Sequence, residues 1–459
     1  MRFPRLAFLG VLSMTSAVAA ACGSTTEFAS GSTTSGSGGA GGGAAVTTSS
    51  SSTATTVSST AATTSTTSST TGGTGGSDIG NPSTTYPAPH PVPPHVQDYG
   101  GPVLAQPRIV PVFFSNDDPD YVAQLEDFLS KVGATQYWAA NTQEYGIGPA
   151  TSTAPVLLTE TATGTTTDDA IQTWLSGKLN GNDPAWPVAD ANTVYALHYP
   201  TGLTITEQGS QSCQDFGGYH SNITLDANHG NLNVAYAVVP RCGDFDGLTG
   251  VDSVTAAESH ELLEASTDPY PNVDPAYASV DDGHFYWSIA LGGGETGDMC
   301  AQQLSSFTTF PELAYTVQRA WSNKAAAAGH DPCVPSLPGE VYFNAAPEMS
   351  DTIDLNIMGG SAVFKGVKVP VGQTKTIPID LFSDADTGGP WDVQVIDYAQ
   401  LSGQPSQLDL SLDETSGQNG QKLHLTIGVP KATQYGVELF FVISSMGNTQ
   451  NAWIGIVGN

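Results

Sequence analysis

The sequence predicts an α+β domain followed by an all-β sandwich, both carried behind a long low-complexity leader. Three observations predict this. Apolar, strand-like runs alternate with amphipathic helical stretches from about residue 107 to residue 200. Short strand-like runs punctuated by glycine turns fill the chain after Pro338. Residues 23–80 are almost wholly Gly, Ser, Thr and Ala, a composition that cannot bury a core. The 459 residues suffice for two or three domains.

The leader comes first. Arg2 and Arg5 form a positive start, and an apolar stretch from Leu6 to Val18 follows. It is too short for a membrane-spanning helix. Ala19, Ala20 and Ala21 then precede Cys22, and small residues ahead of a Cys resemble the bacterial lipobox, in which that Cys is lipidated. Ala19 stands where the box usually has Leu. An ordinary secretory signal cut nearby is the other reading, and both export the protein. The expectation is a signal peptide over 1–22, a lipid anchor on Cys22, and residence in the bacterial cell envelope, on the outer surface or in the periplasm. Residues 23–99 are expected to form a disordered stalk, extended over its Pro-rich end from Pro87 to Pro94.

Thirteen Lys and Arg face 44 Asp and Glu, a formal charge of −31. Phosphate binding needs basic residues, so nucleic acid is excluded as a partner. The acidity favours cations. Five Cys are present; with Cys22 lipidated, four remain for disulfides in an oxidising compartment. Pairing of near neighbours joins Cys213 to Cys242 and Cys300 to Cys333, with two other connectivities formally open. No C-x-x-C spacing exists to build a four-Cys zinc site.

The α+β domain is placed at 100–336. Ile109 to Phe114 reads as a strand, and Pro111 within it suggests an edge or a bulge. Tyr121, Leu125, Phe128 and Leu129 fall at helical spacing over Asp117 to Lys131, capped by Asp117 or Asp118 with Pro119 in the first turn. Ala154 to Leu158 and Val194 to Tyr199 read as strands, and Asp168 to Leu179 as an amphipathic helix. The sandwich is placed at 337–459. Its strands are Ala362–Val369, Lys375–Leu381, Trp391–Val395, Leu408–Leu412, Lys422–Ile427, Gly436–Ser444 and Ala452–Val457, an immunoglobulin-like spacing without the Cys–Trp–Cys core of antibody domains.

Chemistry concentrates in Ser259-His260-Glu261-Leu262-Leu263-Glu264, inside an Ala- and Leu-rich stretch that ends at Pro269. On a helix, residues four apart share a face, so His260 and Glu264 point the same way with Glu261 beside them. This is the layout of H-E-x-x-H, two metal ligands and a carboxylate that activates bound water, with Glu264 in place of the second His. Carboxylate is an acceptable zinc ligand. Its negative charge weakens the pull of the ion on water and widens the choice toward manganese or calcium. Three of the chain's 14 Glu crowd into residues 258–264. Glu295, after the loop Gly292 to Gly294, is the first choice for a third ligand; Asp298 could be that ligand or an acceptor for the His260 ring N–H.

In order, Gly218-Tyr219-His220, Ala235 to Cys242, Ser259 to Pro269, Glu295 to Cys300 and Val317 to Asn323 resemble the EXORDIUM or phosphate-induced protein family, especially its bacterial members. The resemblance covers roughly Pro107 to Cys333. It implies a zincin-like domain with a shared Cys framework, but no biochemical activity.

His220 lies between paired cysteines and could approach the metal, orient substrate or be a structural histidine. Asp244-Phe-Asp246 and Asp281-Asp282-Gly283 lack the twelve-residue spacing of calcium loops and read as turns. Two functional readings follow. One is a zinc-dependent hydrolase acting on peptide or protein substrates, with His260, Glu264 and Glu295 as ligands and Glu261 as general base. The other is a non-catalytic surface protein that binds or adheres and keeps a degenerate metalloprotease scaffold.

Overall fold

The computed structural model describes residues 79–459 apart from 182, 246, 358, 359 and 434. The expected signal peptide, Cys22 and the Gly/Ser/Thr tract up to residue 78 lie outside the described residues. The described part is mixed α/β, mostly sheets with a few helices. Among the described residues no helix is long and apolar enough to cross a membrane.

The first sheet is built on β1 (Arg108–Phe113), two short strands β2 (Thr151–Ser152) and β3 (Val156–Leu157), β4 (Thr193–Tyr199), β5 (Tyr219–Thr224) and β6 (Asn233–Pro240). β2 and β3 both flank β1, and the order continues β1–β4–β6–β5. All pairs are parallel except β5 against β6. β1 is therefore interior, which corrects the edge position expected from Pro111. The carbonyls of Ile109 and Phe113 accept from Thr153 and Leu158 on the β2–β3 flank. Pro111, midway between them, faces that same flank where the neighbouring strand is interrupted. A residue without an N–H is tolerated in a gap.

Helix α1 (Pro119–Val132) starts at Asp118, whose side chain accepts from Asp120 N, and Pro119 occupies its first turn. α2 (Gln136–Thr142) and α3 (Asp168–Asn180) follow, with Ile171 and Leu175 of α3 buried. α4 (Val251–Thr267) packs chiefly against β6 and against β7 (Thr316–Gln318). Leu262, Leu263 and Ala265 of α4 join Val194, Ala196 and Ala235 of the sheet in one buried cluster.

The β region contains two sheets. One joins β8 (Phe343–Pro347), β11 (Thr374–Ser383), β15 (Lys422–Gly428) and β13 (Asp409–Leu412) in that order. The other runs β9 (Asp351–Ile357), β10 (Gly360–Lys368), β17 (Thr449–Gly458), β16 (Val437–Met446), β12 (Trp391–Asp397) and β14 (Ser416–Gly417). Their inward residues share a core that includes Ile379, Leu381, Leu425, Phe440 and Ile456. The same core continues through Trp287, Met299 and Trp321, so burial does not break at 336/337, where the sequence placed a boundary.

The expected stalk needs correction at its end. Residues 79–99 are held by specific bonds. Asn419 Oδ1 accepts from Ala88 N at 3.0 Å and its Nδ2 donates to Thr85 O at 2.8 Å. Gly420 lets this strap lie close, since a Cβ there would meet Ser83 Cβ at 2.5 Å. Val96–Gln97 then pairs antiparallel with Ser279–Val280. The prolines of this stretch have little freedom to lose, so a few bonds suffice to order it.

Candidate metal centre

α4 crosses beneath the sheet with small and apolar residues on most of its surface. Most of its polar residues are buried. Asp252 Oδ1 accepts from Thr316 N at 3.1 Å, Thr255 Oγ1 donates to Thr316 O at 2.7 Å, and Ser259 Oγ accepts from Gln318 N at 2.9 Å. These positions lie on one helix face, so they fasten β7 along it and set Gln318 beside His260.

The Gln318 amide fixes the histidine. Its Nε2 donates to Gly297 O at 2.7 Å, so its Oε1 is the atom that faces His260 Nδ1, 3.0 Å away. Nδ1 therefore carries a proton and donates. His260 Nε2 is left to face Glu264 Oε2 at 3.1 Å and Asp298 Oδ1 at 3.8 Å. Glu264 is oriented as firmly. Its Oε1 accepts from Gly297 N and Asp298 N, both at 3.0 Å, leaving Oε2 to face the histidines, and the Glu295 carboxyl bonds the same side chain. Gly297 has to be small, because a Cβ would fall 2.7 Å from His260 Nδ1 and 2.8 Å from Glu264 Oε1.

A second histidine completes the cluster. His220, on β5 opposite Ala237 of β6, turns Nδ1 toward Glu261 Oε2 at 3.6 Å and Glu264 Oε2 at 3.7 Å. Its Nε2 bonds Asp268 O at 3.1 Å. Gly218 leaves room for Glu261, whose Cγ would stand 2.8 Å from a Cβ there. The Cys213–Cys242 disulfide ties the chain before β5 to the chain after β6, and Cys300–Cys333 ties the segment carrying Asp298 to the chain beyond β7.

Ligating atoms of His260, Glu264 and Asp298 lie within 4.8 Å of one another, as do those of His220, Glu261 and Glu264. Zinc with bonds of about 2.0–2.1 Å in a tetrahedron separates its ligand atoms by about 3.3 Å. The contacts from the two histidine nitrogens to these carboxylates, 3.1 to 3.8 Å, are near that edge, so the donor set suits a divalent cation. Glu295, the sequence's first choice as third ligand, does not join either group. Its Oε2 lies 3.6 Å from His220 Nε2, on the side of that ring turned away from Glu261. Asp298 takes the place next to His260. The Asp281 carboxylate accepts from His95 N and contacts His284 Nδ1 at the start of a 3-10 helix over Asp282–His284, and Asp244–Phe245 is a strand paired with Leu248–Thr249, so the two acidic stretches are not plain turns.

The electrostatics follow from burial and crowding. Burial alone would lower the His260 imidazole, but Glu264 and Glu261 outweigh it and hold it well above its usual range. His220 is raised for the same reason, with Glu261 and Glu264 overcoming burial. Burial pushes the Glu264 carboxyl up, yet His260 prevails and pulls it to about 2. Burial and the charge of Glu264 push Asp298 up to about 7. Glu295 is driven well above the carboxylate range by burial and by Glu264 and Asp268. Carboxyls exceed cationic groups here, and protons make up the difference. A divalent cation would displace them.

Sequence reading did not give Gln318 or Asp268 any role and left His220 open. Asp268 ends α4, with its N–H bonded to Glu264 O, and its buried carboxyl meets that of Glu295. A backbone-bound Gln leaves no spacing signature. Asp268 does have one, since it repeats the four-residue step from His260 to Glu264.

No protein-family model matches the chain, and no curated protein does. Among solved structures, domains 4 and 5 of the S-layer protein SbsC align at 15% identity and a TM-score of 0.16, over 25% of this chain and 54% of theirs. This chain thus matches about half of that S-layer fragment. The titin M3 domain aligns at 10% identity and a TM-score of 0.14, over 20% of this chain and 85% of its own.

Proposed function

We propose that the cluster is a zincin-like divalent-metal centre and that the protein is an exported metal-dependent hydrolase acting on peptide bonds. His260 Nε2, Glu264 Oε2 and Asp298 Oδ1 are the ligands, zinc is the ion, and Glu261 is the general base. The observation that carries this reading is the commitment of every other polar atom of the first two ligands. His260 Nδ1 is taken by Gln318 and Glu264 Oε1 by two backbone N–H groups, so one nitrogen and one oxygen, 3.1 Å apart, are left for the ion. Bound there, the ion supplies Lewis acidity and a water of lowered pKa. Glu261 follows His260 on the helix and reaches the same cluster, the position from which a carboxylate takes a proton from water. A lipid anchor at Cys22, an envelope location and an immunoglobulin-like β region belong to the same proposal.

The deciding experiment is elemental analysis of the purified full chain beside His260→Ala. Near-stoichiometric zinc that disappears in the variant supports the centre; absence of metal from the wild type rejects it. A peptide library then tests turnover. Glu261→Gln should abolish cleavage and keep the ion at His260, and a wild type that cleaves nothing ends the hydrolase reading.

One observation favours the alternative, a metal-binding surface protein without turnover. The side chains of Glu261 and Glu264 are only 6% and 4% exposed, and Gly218 and Gly297 crowd them. Asp298 is the most exposed of the three proposed ligands, at 26%.

A further inference from the structure

We infer that the cluster holds a second divalent cation, bound by His220, Glu261 Oε2 and Glu264 beside the ion proposed at His260, Glu264 and Asp298, so that only Oε1 of Glu261 is left for the base role. This rests on the metal-centre reading above and deepens it. Within each of the two groups the ligating atoms lie within 4.8 Å of one another, and the groups share Glu264.

The two histidines are prepared in the same manner with opposite ring nitrogens. His260 commits Nδ1 to Gln318 Oε1 at 3.0 Å and offers Nε2. His220 commits Nε2 to the carbonyl of Asp268 at 3.1 Å and offers Nδ1. A hydrogen bond from the far nitrogen is how proteins orient a metal-binding imidazole. A histidine serving only as a hydrogen-bonded strut would not need its other nitrogen aimed at two carboxylates.

Glu264 is suited to bridging. Two backbone N–H groups hold Oε1, so Oε2 alone meets both His260 Nε2 at 3.1 Å and His220 Nδ1 at 3.7 Å. One oxygen between two ions is compatible with the spacing of about 3.5–4 Å seen in two-metal sites.

Charge calls for the second ion. Glu261, Glu264, Asp268, Glu295 and Asp298 gather around two histidines. Among the described residues none of these five carboxyls forms an ion pair with Lys or Arg. A second divalent cation would take the place of protons in balancing these buried carboxyls. The composition agrees: a chain with 13 Lys and Arg against 44 acidic residues has few cations of its own to spend here. Mixed imidazole and carboxylate donors suit zinc or manganese.

The test uses the full chain, stripped with chelator, loaded with Zn2+ or Mn2+, desalted and counted by elemental analysis, with electron paramagnetic resonance of the manganese form. The expected result is about two ions per chain and the spectrum of a coupled manganese pair. His220→Ala should fall to about one ion with the coupling gone, and Asp298→Asn likewise to about one. Glu264→Ala should lose both. One ion per chain with an isolated manganese spectrum overturns the second site and leaves the metal centre standing. Two ions that persist in Glu264→Ala are loose surface ions and also overturn it. No ion at all rejects both proposals. Should His220→Ala fail to fold, His220→Gln and the wild-type count and spectrum decide the matter.

Discussion

Gln318 and His260 are joined across α4 and β7 by a bond of 3.0 Å whose direction is set elsewhere, by the Gln318 amide donating to Gly297 O. One side chain thereby fixes the tautomer of the histidine and the position of the loop that carries Asp298. Its replacement should be felt at the ion without touching a ligand.

Gln318→Leu leaves His260 Nδ1 and Gly297 O unpaired. Divalent-metal affinity should fall by about 10–100-fold. Stability of the metal-free protein should fall by about 1–3 kcal/mol, the cost of unpaired buried groups. Competition with a chelating dye and a denaturant melt measure the two. Unchanged affinity would mean that the ion does not sit on His260.

Gly297→Ala tests the close packing of the loop. Its backbone is helical, so alanine is not strained there; the new Cβ instead presses on His260 Nδ1 at 2.7 Å and Glu264 Oε1 at 2.8 Å. We expect overpacking of about 1–3 kcal/mol and a loss of metal affinity of about tenfold or more. Retention of full affinity would show that the loop yields.

Asn419→Ala releases the strap. Bonds to Ala88 N, Ser383 N, Ser83 O and Thr85 O all end on that one buried side chain. Stability should fall by about 2–4 kcal/mol, and limited proteolysis should begin cutting between residues 79 and 95. Continued resistance in that stretch would assign the anchoring to Val96 and its pairing instead.

Glu438 makes stability depend on pH away from the candidate metal site. Burial raises its carboxyl to about 7, although Ala399 N donates to it at 3.2 Å. Below pH about 4.3 both folded and unfolded chains hold this proton. Between there and 7 only the folded chain keeps it, so stability is lost as pH rises through that window and is flat above it. Glu438→Gln keeps an acceptor for Ala399 and removes the slope. At pH 8 it should be more stable than wild type by on the order of 2 kcal/mol. Parallel melts at pH 5 and pH 8 decide, and equal shifts at both would refute the assignment.

The sequence by itself determined the local elements and the chemistry in play. Periodicity is enough for α1 and α3, and Asp118 with Pro119 is enough for the start of α1. An uninterrupted Ala- and Leu-rich stretch ending at Pro269 is enough to put His260, Glu261 and Glu264 on one helix. The strands of the β region were legible from alternation and turns, although Phe343–Pro347 and Asp351–Ile357 were missed because nothing marks their turns as sharply. β5 and β6 went unrecognised as strands, even though the run from Val234 to Pro240 is apolar throughout. Two matters were decided only by tertiary structure. The third partner of His260 is Asp298 instead of Glu295, because Gly297 N and Asp298 N bind Glu264 Oε1 and turn that loop end inward. His220 joins the cluster because antiparallel pairing of β5 with β6 carries it over α4. Such choices depend on contacts between residues well separated in the sequence, Glu264 with Gly297 and Asp298 for example, 33 and 34 positions away, and no local pattern of side chains encodes them.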